Sequence, residues 1–122
     1  MEKISESTRF TNVYHSIMAA SEAYNRTACN MPKSLLKVNQ DIHGDLCMSA
    51  KQVFIASNKE RHEVKAQCLM VAQELLFNIY SSIEYCVKAK GMTIGQANEI
   101  ILKLKEAHEE VKKWLNYELK QQ

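Results

Sequence analysis

Residues 66–87 read AQCLMVAQELLFNIYSSIEYCV. The stretch holds no glycine and no proline, so nothing in it interrupts a helix, and Glu74 and Glu84 are its only charges. With Val64 ahead of it, Cys68, Val71, Leu75, Ile79, Ile83 and Cys86 recur at spacings of three and four, which puts them on one helical face. Leu69, Ala72, Leu76, Tyr80 and Val87 form a second line beside the first. A helix on the outside of a bundle needs one apolar stripe. Two stripes call for cover from two sides, which a central core position or contact with a second subunit would supply. On the subunit reading, Leu69, Leu76, Tyr80 and Val87 form the oligomer interface. A membrane span is disfavoured, because Gln67, Gln73, Glu74, Asn78, Ser81, Ser82 and Glu84 would each be costly in hydrocarbon.

The remainder of the 122 residues extends the same pattern on both sides. Residues 1–8 are polar and expected to fray. A first helix over about 9–28 turns Phe10, Val13, Ile17, Ala20 and Tyr24 inward. Pro32 suits the first turn of a second helix, which spans about 32–57 with Leu35, Val38, Ile42, Leu46, Ser49, Val53 and Ala56 on one stripe. Gly44 lies inside that helix, marking either a close helix approach or a tolerated surface glycine. The third helix covers about 59–90. Lys88 and Lys90 suit its C-terminus, where the macrodipole favours cations, and Gly91 reads as its left-handed cap. Thr93 with Gln96 three residues on is a capping box. It opens a fourth helix over about 94–119, whose inner line is Ala97, Ile101, Leu104, His108, Val111, Leu115 and Glu118, flanked by Ile100, Ala107 and Trp114. Short links place neighbours antiparallel. The expected architecture is one all-α domain over 1–122, an up-down-up-down four-helix bundle.

Composition narrows the chemistry. Three glycines and one proline are few for a fold rich in turns. The formal charge of +2 is no nucleic-acid footprint on count alone. Cys29, Cys47, Cys68 and Cys86 lack CxxC spacing, and the polar start lacks the apolar segment of a secretory signal. The expectation is reduced thiols in a cytoplasmic protein. Bundles often hold di-iron sites built on Glu-x-x-His, but the residues three before His15, His43, His62 and His108 are Asn12, Gln40, Lys59 and Lys105. No zinc spacing, phosphate-binding glycine loop or nucleophile elbow is present. The chain reads as a binding protein without cofactor or metal, and not as an enzyme.

Candidate binding residues are basic. Lys33 with Lys37, and Arg61 with Lys65, open the second and third helices, where free backbone N–H groups also favour phosphate. Antiparallel connection puts these two pairs at opposite ends of a bundle, and brings Lys33 and Lys37 toward Lys88 and Lys90. The lysines of the fourth helix interleave with Glu99, Glu106, Glu109, Glu110 and Glu118 and read as a solvated mixed face. In a ring of identical copies a small patch is repeated, which raises avidity for a polyanion.

The second half of the chain resembles the four-helix-bundle proteins encoded in 23S rRNA intervening sequences and their Avd-like relatives, the accessory variability determinants of diversity-generating retroelements. The likeness is greatest to the Avd branch. It is carried by the long apolar third helix, by Gly91-Met92-Thr93-Ile94-Gly95-Gln96, by 100–105, by Trp114-Leu115, and by the Pro32-Lys33-Ser34 start of the second helix. It covers about two thirds of the chain and leaves out the first helix.

The resemblance implies a homopentamer that binds a reverse transcriptase and its template RNA or DNA and supports mutagenic cDNA synthesis. Lys33, Lys37, Arg61, Lys65, Lys88 and Lys90 would be the nucleic-acid contacts. Avd proteins are typically strongly basic, with arginines in the second half of the third helix. This chain has three arginines in all and no Arg or Lys from 77 to 87. A protein-interaction module without nucleic acid, and an rRNA intervening-sequence protein of the same fold, are the alternative readings.

Overall fold

The structure, a computed structural model, describes residues 6–122, and these are helical throughout apart from the links. Helices α1 (Glu6–Ala28), α2 (Leu36–Ser57), α3 (His62–Lys88) and α4 (Ile94–Lys120) follow in order, with a single 3-10 turn (Lys33–Leu35) leading into α2. Each packs on its chain neighbours, and α4 closes back on α1, so the helices form an antiparallel four-helix bundle with α1 diagonal to α3. Of the four neighbouring pairs, α1 and α2 touch least.

The ends follow local chemistry. Helix α1 is already formed at Glu6, three residues before the expected start; residues 1–5 of the expected frayed segment lie outside the described residues. Pro32 is the N-cap of the 3-10 turn and not, as expected, part of the first turn of α2: its ring holds φ at −62° and its ψ of 149° is extended, with α2 proper starting at Leu36. The capping box is present in both directions. Gln96 N–H donates to Thr93 Oγ1 at 3.1 Å, and Thr93 N–H donates to Gln96 Oε1 at 2.9 Å.

The core is one cluster drawn from all four helices, including Ile17, Tyr24, Ile42, Val53, Leu69, Leu76, Ile83, Leu104 and Trp114. In α3 the buried line is Leu69, Ala72, Leu76, Ile79, Ile83 and Cys86, while Val71 is exposed and Val64, Cys68 and Leu75 are half-buried. The centre of burial therefore falls between the two expected stripes. A bundle helix is covered by two neighbours at once, here α2 and α4, so its inward face is wider than one stripe.

That geometry corrects two of the expected interface residues. Leu69 and Leu76 are fully enclosed by the chain's own helices and offer nothing to a second subunit. Tyr80 and Val87 are half-buried against the same core. Gly44 has open space around it, so it is a tolerated surface glycine and marks no close approach.

Candidate functional site

The basic residues divide between the two ends of the bundle. At one end α3 stops in a Schellman arrangement, with Gly91 N–H donating to Cys86 O at 2.7 Å. The left-handed residue is Lys90, at φ 62°, and no glycine has positive φ; the expected cap at Gly91 is thus displaced by one position. Glycine at 91 leaves room for a neighbouring side chain. A Cβ there would run into Leu35 Cδ1, so the turn entering α2 is packed directly on the turn leaving α3.

This contact gathers Lys33, Lys37, Lys88 and Lys90 at one end, all exposed. Lys37 Nζ donates to Asp41 Oδ1 at 2.9 Å, and Lys88 pairs with Glu84 at 3.1 Å. Both pairs are exposed, spaced one turn apart, and worth only tenths of a kcal/mol. Arg26 and Glu99 pair at 3.0 Å across α1 and α4 at the same end. Lys33 and Lys90 form no ion pair among the described residues. Lys90 also lines a shallow groove of about 470 Å³ with Thr27, Asn30, Thr93 and Gln96, so polar groups stand beside the free cation.

The opposite end is built differently, and it removes Lys65 from the binding set. Its side chain is 4% exposed and pairs with Glu6; Nζ also donates to Ala56 O at 3.0 Å. Ala56 O, in the last turn of α2, also accepts from Lys59 N–H at 3.2 Å, so Lys65 is tied to a carbonyl that already has a backbone partner. A cation sealed in that way cannot reach a phosphate. Arg61 is exposed but paired with Glu63. The expected Arg61–Lys65 patch does not form.

In its place stands a buried network. Glu118 is 1% exposed. Its Oε1 lies 2.5 Å from His62 Nδ1, and its Oε2 accepts from Trp114 Nε1 at 2.9 Å. The Arg9 guanidinium lies 3.5 Å over the Tyr117 ring, a cation–π contact. One signal for this network was in the sequence: a glutamate on the apolar line of α4, one turn beyond a tryptophan whose N–H needs an acceptor.

On the long faces the groups are less polar. His108 Nε2 lies 3.4 Å from Gln73 Nε2 beside Phe77 and Asn78. Burial, and secondarily the charge of Glu109, raise the Tyr80 phenol above its usual range. Burial raises the Cys86 thiol likewise, which keeps it protonated and unreactive. All four cysteines are free thiols, with Cys29 and Cys47 exposed. Among the described residues no cluster of three or more His, Cys, Asp or Glu could hold a metal ion, and no helix is long and apolar enough to cross a membrane. Compared with known proteins, the chain matches no family model, no curated protein and no solved structure.

Proposed function

We propose that this chain is a non-enzymatic accessory protein of the Avd type. Copies associate, by resemblance into a pentamer, and present the lysines at one end of each bundle to RNA or DNA beside a reverse transcriptase in the cytoplasm. The observation supporting this reading is the packing of Leu35 on Gly91, which collects Lys33, Lys37, Lys88 and Lys90 from two separate helix ends into one exposed region. A single region of this size binds a polyanion weakly. Repetition around an assembly turns several weak contacts into one strong one.

Phosphate contacts release counterions, so affinity for an RNA oligonucleotide should fall steeply with salt. The expected result is measurable binding at low salt, lost together in Lys33→Glu and Lys90→Glu. Lys65→Met provides the contrast: it should lower stability by about 1 kcal/mol, the worth of a lost hydrogen bond, and leave RNA binding unchanged. A flat salt response, or no binding at low salt, removes nucleic acid from the function.

A second reading is a docking module that meets only proteins. It is favoured by the carboxylates already paired with Lys37 and Lys88 and by the apolar side chains left exposed on α2 and α3. Recovery of a reverse transcriptase with the protein from its native cell supports the first reading over the second. The rRNA intervening-sequence alternative shares the fold and differs in its neighbouring genes: an rRNA operon there, a reverse transcriptase with template and variable repeats here.

A further inference from the structure

The seam between α1 and α2 is open along its outer side. Tyr14 and Met18 of α1 face Cys47, Ala50 and Phe54 of α2 across an apolar groove of about 720 Å³, with Leu46 also in its lining. Phe10 continues the wall, stacked on Tyr14 at 5.4 Å and edge-on to Phe54 at 6.3 Å. Phe54 remains 58% exposed. The lining contains one formal charge, Lys51, and no carboxylate.

On the far side of the bundle, beside the α3–α4 seam, α3 exposes apolar side chains of its own. Met70, Glu74 and Phe77 follow at spacings of four and three, one ridge on one helical face. Phe77 is 65% exposed, the most exposed aromatic ring among the described residues. The ridge has a carboxylate, Glu74, and α3 from 66 to 87 has no cation at all. Neither Lys51 nor Glu74 forms an ion pair within the described residues.

We infer that the groove's occupant is a second copy of this chain: the α3 ridge of one copy seats in the α1–α2 groove of the next, Phe77 and Met70 covered by Met18 and Phe54, and Glu74 against Lys51. The inference rests on the self-association proposed above and names the surfaces that would make it. An unpaired acid on an apolar ridge and an unpaired base in an apolar groove select each other over a neutral or like-charged partner. Ridge and groove lie on opposite sides of the bundle, so the contact is heterologous: every copy uses one of each, and the chain of contacts closes into a ring or extends.

The native Cys47 in the groove makes this testable by crosslinking. Along α2, Cys47 stands four residues from Lys51. On α3, Met70 and Asn78 stand four residues from Glu74 in either direction. In a Cys29→Ser background, Met70→Cys or Asn78→Cys, depending on which way α3 lies, should give a ladder of disulfide-linked species beyond the dimer under mild oxidation. Cys47→Ser should abolish the ladder. Lys51→Glu and Glu74→Lys should each weaken association severalfold by light scattering, and mixing the two variants should restore it in open chains or even-numbered rings, where the two alternate. Dimers alone would mean two-fold pairing and overturn the inference. Association by light scattering without crosslinking in either variant would also overturn it, while leaving self-association intact. A single copy at micromolar concentration would end both.

Discussion

Lys90 holds a backbone conformation that costs an L side chain roughly 1–2 kcal/mol, and it does so beside a glycine that does not need its freedom. The two residues should therefore respond in opposite ways. Lys90→Gly relieves the left-handed strain and should raise unfolding stability by about 1 kcal/mol, while weakening RNA binding through the lost charge. Gly91→Ala pushes a methyl into Leu35 and should cost about 1–2 kcal/mol, the ordinary price of overpacking. Gly44→Ala, in open space inside α2, should gain about 1 kcal/mol. Chemical denaturation of the three variants checks all three signs. The glycine at 91 was visible as the end of α3. Which of two adjacent residues turns left was not, because side-chain spacing does not fix the last residue of a helix to within one position.

Within the helices, periodicity read well wherever one side chain type dominated. The inner lines of α1 and α2 match the expected stripes almost residue for residue, with Phe10 and Val38 half-buried at their margins. The capping box placed the start of α4 correctly, because both of its hydrogen bonds are local. Helix α3 was harder. It is apolar over most of its circumference, so spacing alone could not say which side meets α2 and α4, and Leu69 and Leu76 were assigned outward. Charge was harder still. Lys65 looked like one of two cations at a helix start; only the fold brings Glu6 and the end of α2 onto it. The same holds for Glu118, whose partners lie on α3 as well as α4. Glu118→Ala leaves the buried Trp114 N–H without an acceptor and His62 without its carboxylate. It should destabilise the protein by about 3 kcal/mol, measured by denaturant unfolding, with little effect on RNA affinity because that network lies at the opposite end from Lys33 and Lys90.

Taken together, the bundle has two unlike ends and two unlike sides. Among the described residues, one end exposes unpaired cations, while the other buries Lys65 and Glu118 in paired contacts; one side carries a groove and the other exposed apolar side chains of α3. The fold class followed from composition and pattern because four amphipathic helices with short links have few ways to hide their apolar faces. The placement of these unlike surfaces did not follow, since it depends on which apolar residues are left over once the core is full.

The slack seam between α1 and α2 has a consequence for motion. Tyr24 Oη donates to Asn39 Oδ1 across it at 2.7 Å and Phe10 meets Phe54 edge-on, yet α1 packs less on the rest of the bundle than any other helix. Stability is uneven in such a molecule, and the least-anchored element opens first. Backbone amides of α1 should exchange with deuterium faster than those in the middle of α3, and the capture of anything in the groove should slow them. Equal protection across all four helices would mean the bundle opens only as a unit.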